Sequence, residues 1–478
     1  MSWQNPATPV HAAKSLRHKA QGWSYSTALL IFLPLLGAGV PSLGAEESIS
    51  VSGRLSSRAV QPLDNSSIRE DPSLTGRLVI DAHQSSWRLY SWLEGGWDGA
   101  VNRRNSDQAL FKDLDTVYQD NSPFLEVKDL FAERRLAGIE TRVGIQRFSW
   151  GRLDEYPIND LFNPWDYRQF LVKSLEERKI GVPAISATMS RSEWSGQFVW
   201  VPWLVPYRLP DPDERWSLFP ARSASPGAAS PGLTPLEPDL PAHNLQNGSA
   251  GLRVQTLGEV EWAINLFHGF DPRPTFGATA LTTTGTNHAQ DTTFEIVPSF
   301  HKITTIGLDS AMVKGDWSLR AETAYACNRV FTVRQELWGT SISQGADPSL
   351  LPSLEVTRDT LDYGVAADYR PFEDGMLTLQ AQQSVILDRP ETLYDQTIET
   401  ILWANLKVGW LNQKVDTSLN LAWNPEHGAT MIKAGAHYVL TDFWKIGLTG
   451  LLLDGPPQSI FGRHAMNDQV AIEVVYSW

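Results

Sequence analysis

The densest potential chemistry of this chain lies between residues 151 and 178, where Asp154, Glu155, Asp160, Asp166 and Glu176 stand among Arg168 and Arg178, with Glu177 and Lys179 adjoining. Fixed charges of both signs in one segment suit the narrow point of a water-filled passage, where opposed rows of charge select ions through their local field. Pro157, Pro164 and the aromatics Tyr156, Phe162, Trp165 and Tyr167 would anchor such a segment against a wall. The competing reading is a surface loop whose Asn-Pro-x-Asp turn caps a short helix over about Trp165 to Lys179, with Phe170, Leu171 and Leu175 on one side.

Catalysis is harder to assemble. Six histidines, His268, His288, His301, His427, His437 and His464, fall on or near strand ends without metal-ligand spacing and without a neighbouring serine in a hydrolase arrangement. No Gly-rich phosphate loop is present, and the single Cys327 allows no internal disulfide and no paired-thiol redox site. Cys327 reads as a small apolar residue on a strand. The expectation is a non-enzyme with no metal and no cofactor.

The elements that would position the charged segment are strands. The chain ends in a run whose alternate residues Val470, Ile472, Val474, Tyr476 and Trp478 are apolar or aromatic, opposite Gln469, Ala471, Glu473, Val475 and Ser477. Going backward the same period of two recurs in segments of roughly 9 to 14 residues, the length a tilted membrane strand needs. Leu419, Leu421 and Trp423 alternate with Ser418, Asn420 and Ala422; Ile432, Ala434, Ala436 and Tyr438 oppose Lys433 and His437; Trp317, Leu319 and Ala321 oppose Arg320 and Glu322. Charge keeps to one parity. A lysine or arginine on a lipid-facing midplane position would cost about 2–4 kcal/mol, so the segregation is physically meaningful. Aromatics near strand ends, Trp410, Trp423, Tyr438, Trp444, Tyr476 and Trp478, match an interfacial girdle.

Residues 1–45 hold no acid, carry Lys14, Arg17 and Lys19, and continue into the apolar run 28–36 and the small residues 41–45, the pattern of a cleaved signal peptide. Without those three bases the remaining chain has 37 Lys and Arg against 54 Asp and Glu, a net of −17, which argues against nucleic acid as a partner. No later stretch approaches the roughly 18 apolar residues of a membrane helix, so a membrane form must be a closed barrel. The fold class is therefore all-β: a closed antiparallel transmembrane barrel of residues 46–478, localised in the outer membrane.

Tight turns are expected near 83–85, 136–138, 191–193, 257–259, 314–316, 370–375, 411–413 and 441–442. Longer loops fall at 60–75, 98–122, 151–178, 205–248, 271–301, 330–354, 388–395, 425–428 and 454–465. Nine loops and eight turns give about 18 strands with both termini periplasmic; 16 is the alternative, because alternation before residue 250 is noisier. Loop 205–248, rich in Pro, Ser and Gly, is expected to stay out of any sheet and to form an extracellular lid.

Over residues 138–207 the chain resembles a family of uncharacterised proteobacterial outer-membrane barrels. In that family a Gly-x-Gln strand end with a following Trp-Gly leads into an Asp-x-x-Asn-Pro-x-Asp loop. Here the pieces are Gly144, Gln146, Trp150, Gly151, Asp160, Asn163, Pro164 and Asp166. The resemblance implies a porin-like channel, often found with inner-membrane exporters of hydrophobic compounds, and no catalytic residues. The function expected is passive passage of small solutes, with amphipathic cargo kept in view by the family association and by 19 tryptophans. The alternative is a non-transporting barrel serving as anchor or lipid-modifying enzyme. Expected partners are outer-membrane lipid, lipopolysaccharide, an inner-membrane exporter and the barrel-assembly machinery, which would read Tyr476 and Trp478. Weighing the acids of segment 151–178 against Arg168, Arg178 and Lys179 predicts weak cation selectivity.

Overall fold

The computed structural model describes residues 47–63, 72–99, 124–210, 215–217, 232–235, 238–284, 291–333, 355–393 and 395–478. The expected signal peptide lies outside these residues, as do parts of loops 60–75, 98–122, 205–248, 271–301, 330–354 and 388–395.

Wherever the sequence alternates, the backbone is extended. The strands are β1 (Glu47–Pro62), β2 (Ser73–Gln84), β3 (Trp87–Asp98), β4 (Phe124–Leu136), β5 (Ile139–Gln146), β6 (Val182–Ser190) and β7 (Trp194–Val201). They continue with β8 (Gly232–Pro235), β9 (Ser249–Thr256), β10 (Val260–Phe270), β11 (Thr275–Thr284), β12 (Asp291–Ser299), β13 (Lys302–Lys314) and β14 (Trp317–Thr332). The last seven are β15 (Glu355–Phe372), β16 (Gly375–Ile386), β17 (Ile398–Trp410), β18 (Val415–Asn424), β19 (Ala429–Val439), β20 (Trp444–Asp454) and β21 (Gln469–Ser477).

All but β8, β11 and β12 form one antiparallel sheet of 18 strands. It closes on itself where β1 pairs with β21, from Arg54 opposite Ser477 to Pro62 opposite Gln469. Closure satisfies every strand edge, which an open sheet in lipid could not do. The eight expected turns all fall between consecutive barrel strands, and the noisy segments before residue 100 are strands too: β2 and β3 pair in register from Ser73 with Asp98 to Gln84 with Trp87. Both Glu47 and Trp478 lie at the short-turn end of the barrel.

Parity decides which face each side chain takes. Trp262, Ile264, Ile306, Leu308, Val365 and Leu448 are exposed on the outside, whereas Asn265, Asp309, Glu322 and Gln380 are buried on the inside. Trp317 stacks on Tyr369 at 4.5 Å and Trp444 packs on Tyr476 at 4.9 Å, forming aromatic ends of the lipid belt beside the short turns. The chain is thus a transmembrane β-barrel of the outer-membrane type.

Two loops depart from expectation. Loop 271–301 contains the hairpin β11–β12, whose strands are rich in threonine and other β-branched residues. The Pro-rich loop also enters a sheet: Gly232–Pro235 pairs parallel with β12, from Gly232 opposite Thr293 to Pro235 opposite Ile296. Nor does all of that loop stay outside, because Trp216 is buried against Phe170 and His464 and Arg208 is buried against Glu126. Proline removes a donor from the backbone, but an edge pairing tolerates that, and a large aromatic gains about 1.5–3 kcal/mol by burial.

Candidate functional site

The segment between β5 and β6 turns inward and makes contact around much of the inner wall. It leaves at Gln146 and rejoins the sheet at Val182. Its departure and return are stitched together by Asn163, which is fully buried. The Asn163 amide donates to the carbonyls of Gln146 (3.1 Å) and Ile180 (2.7 Å), and its oxygen accepts from the Phe148 amide (2.6 Å). Gln146 donates to the Ala184 carbonyl at 2.8 Å and accepts from Ser186 at 2.7 Å; Trp150 donates its indole N–H to Gln197 at 2.7 Å. The Pro164 carbonyl accepts from Ile180 at 3.0 Å. Gln146, Trp150, Asn163 and Pro164 thus hold the two ends of one inserted loop.

Apolar packing fixes the loop at two places. Phe148, Trp150 and Phe162 bury against Val182, Ala184, Val199, Phe267 and Ile303, and Trp150 meets Phe162 edge-on at 4.9 Å. Further along, Phe170, Leu171 and Val172 bury against Ile401, Trp403, Met431 and Leu451, together with Trp216 and Phe461 from outer loops. Burying side chains of this size contributes about 1.5–3 kcal/mol each.

Between these anchors, inward-facing charges of the wall grip the loop backbone. Glu322 of β14 accepts the amides of Arg152, Leu153, Ile158 (2.9 Å) and Asn159 (3.1 Å). Arg320 donates to the Arg152 carbonyl at 2.5 Å, Lys433 to the carbonyls of Leu171 and Val172 at 3.1 and 2.8 Å, and Lys128 to that of Glu177 at 2.9 Å. Parity alone puts Glu322, Arg320 and Lys433 on the inner face but assigns them no partner. That the partner is the loop backbone is a tertiary fact.

Most of the seven candidate pore charges are spoken for. Asp160 is buried on the Lys179 ammonium, Asp166 is buried on Arg168 at 2.7 Å, and Glu155 meets Arg178 at 3.1 Å, with Arg178 only 1% exposed. Asp160, Asp166 and Arg178 therefore do not stand as open charges on a lumen wall, contrary to expectation; a buried charge must be paired, and the segment supplies bases within reach. Burial holds the Asp160 carboxyl above the usual range despite Lys179. Burial would raise Asp166 too, but Arg168, Lys173 and Arg208 outweigh it and hold that carboxyl well below the usual range. Asp154 has 56% of its side chain exposed while paired with Arg320 at 2.9 Å, and Glu176 is exposed. Lys173, left out of the sequence comparison of charges, lies 3.4 Å from Asp98. The anticipated helix over 165–179 shrinks to Leu175–Arg178, capped by Ser174 and Glu177, because Phe170 adopts φ 49° and breaks any longer run.

Below the loop, near the short-turn end, a cavity of about 550 Å³ opens beside Lys407, Asp416, Ser418 and His437. Among the described residues no group of three or more His, Cys, Asp or Glu converges as a metal site.

One constellation was missed. Ser299 donates to Glu355 at 2.7 Å, and the Nε2 of His301 lies 3.3 Å from both. A hydrolytic relay needs the hydroxyl and the carboxylate on opposite ring nitrogens. Here both meet the same one, so the cluster ties the base of the outer hairpin to β15 rather than relaying a proton.

No protein-family model and no curated protein matches the chain. Among solved structures it is similar to OccAB4 of Acinetobacter baumannii, at 8% identity and TM-score 0.47 over 92% of this chain and 100% of that one. It is also similar to a BenF-like porin from Pseudomonas fluorescens Pf-5, at 9% identity and TM-score 0.47 over 91% and 98% of the two chains. A third is OmpT, an outer membrane protein of Vibrio cholerae, at 11% identity and TM-score 0.39 over 92% and 100%. At these values the similarity is one of barrel architecture and carries no argument about solute or mechanism.

Proposed function

We propose that this chain is an outer-membrane channel for passive, cofactor-free passage of small solutes, narrowed by residues 147–181. The observation that carries the reading is the grip of wall charges on the backbone of that loop: a barrel serving only as an anchor has no need of a segment held inside its lumen by Glu322, Arg320, Lys433 and Lys128. Loops held within such barrels narrow the path, and charges left open on them set the field a solute meets. The charged inner wall favours small polar solutes. Passage of amphipathic compounds in partnership with an inner-membrane exporter is the second form of the proposal and rests on the resemblance over residues 138–207.

The test is unitary conductance of the refolded full chain in a planar bilayer. Stable open steps are expected. Silence across voltages and salts, with the barrel folded as judged by heat-modifiable migration, would favour the anchor or enzyme alternative.

A further inference from the structure

We infer that Glu322 is the positioning residue that sets where the inserted loop stands, and through it the width of the passage; this deepens the channel reading and rests on it. Glu322 is 3% exposed on the inner face of β14. Among the described residues no base forms an ion pair with it: its nearest charged neighbour across the strand pair, Asp309, is itself claimed by Arg253 and Arg152. A buried carboxylate without a cation is strongly unfavourable unless hydrogen-bond donors surround it. Here the donors are the four loop amides, supplemented by the Asn159 side chain at 3.4 Å. The wall charge and the loop therefore require each other. Withdrawing the loop would leave the carboxylate bare, and removing the carboxylate would leave four inward amides without their acceptor.

The wall is also shaped for this seat. A side chain at Gly307 would overlap the Asn159 amide, and one at Gly364 would come within 2.7 Å of Leu153. Gly151, at φ 94°, brings the chain over the carboxylate so closely that a Cβ there would lie 2.6 Å from its oxygen. Notches on β13 and β15 thus flank the carboxylate on β14, and the three strands together form one socket.

The experiment compares unitary conductance and reversal potential of the refolded wild type with Glu322→Ala, Glu322→Gln, Gly307→Ala and, as a charge control below the loop, Lys407→Gln. Glu322→Ala and Gly307→Ala should both change conductance by roughly twofold or more and add flicker, as the loop leaves its seat. Glu322→Gln keeps one accepting oxygen and should fall between wild type and Glu322→Ala. Lys407→Gln should alter reversal potential more than conductance. Wild-type conductance in a folded Glu322→Ala barrel overturns the inference, as does a Glu322→Gln variant identical to Glu322→Ala with a shift in reversal potential alone. Should Glu322→Ala fail to fold, Gly307→Ala decides by the same criterion. A wild type that conducts nothing sinks the channel reading itself, an outcome separate from a conducting barrel indifferent to Glu322.

Discussion

Trp478 closes the barrel over Gly53. The Trp478 amide donates to the Gly53 carbonyl and the Gly53 amide to the terminal Trp478 oxygen, each at 3.1 Å, while the indole covers the space a side chain at residue 53 would need. The indole stacks on Tyr476 at 5.8 Å. First and last strands are therefore locked by main chain and ring together.

Removing Trp478 forfeits about 1.5–3 kcal/mol of burial at most, a small part of a closed 18-strand sheet. Deletion of this residue should therefore lower the amount reaching the outer membrane far more than it lowers the melting temperature of the protein that does assemble. Quantifying surface abundance and thermal unfolding side by side checks this. Equal abundance would remove Tyr476 and Trp478 from the role of assembly signal.

Neutralising Asp160 should act on loop stability before it acts on selectivity. Asp160→Asn leaves the Lys179 ammonium, now held by the Phe148 carbonyl at 2.6 Å and by Ser149, without its counter-charge in a buried place. Breaking one partner of such a pair costs on the order of 3–5 kcal/mol. Noisy conductance and faster proteolysis within 147–181 are the expected readouts; a quiet channel with only a shifted reversal potential would mean the pair is not buried as found.

Exposed charge on the loop resides in Asp154, which also meets Arg320 at 2.9 Å, and in Glu176. The double change Asp154→Asn and Glu176→Gln should move the reversal potential toward anions, and the difference should shrink as salt shortens the Debye length from about 10 Å at 0.1 M to about 3 Å at 1 M. Exposed charges carry little stability, so heat-modifiable migration should be unchanged. An unchanged reversal potential at low salt would place the selective field elsewhere on the wall.

Acid should loosen the outer aromatic cluster. His464 is 2% exposed, packs on Phe170 at 4.6 Å and Trp216 at 5.5 Å, and its Nδ1 has no partner among the described residues. Burial, with Arg463 adding to it, pushes its pKa down to about 3. Because the folded value lies below the ordinary one near 6.5, the neutral ring stabilises the cluster fully above that pH, and the contribution is lost as pH falls from there toward about 3. Limited proteolysis of residues 202–248 should accelerate between pH 7 and pH 4 in the wild type and not in His464→Phe; parallel acceleration in both would assign the effect to other groups.

By itself, the sequence determined the barrel. Strand, face and turn follow from a period of two whose consequences are local: each residue in turn must point to lipid or to water, and a lysine such as Lys433 on the wrong parity would be costly wherever its neighbours lay. That is why all eight turns were legible, and why Glu322 was placed on the inner face. What only the tertiary structure decided is how the charges are spent. Asp160 and Lys179 are 19 residues apart, Glu322 and Asn159 are 163 apart, and Ser299 and Glu355 are 56 apart. No periodicity links such pairs; they meet because the loop between β5 and β6 folds inward onto the wall, where β14 presents Glu322, and because the outer hairpin folds back on β15. Composition counted acids and found an eyelet, whereas burial required those acids to be paired, and pairing turned most of the candidate filter into the fastening of the loop.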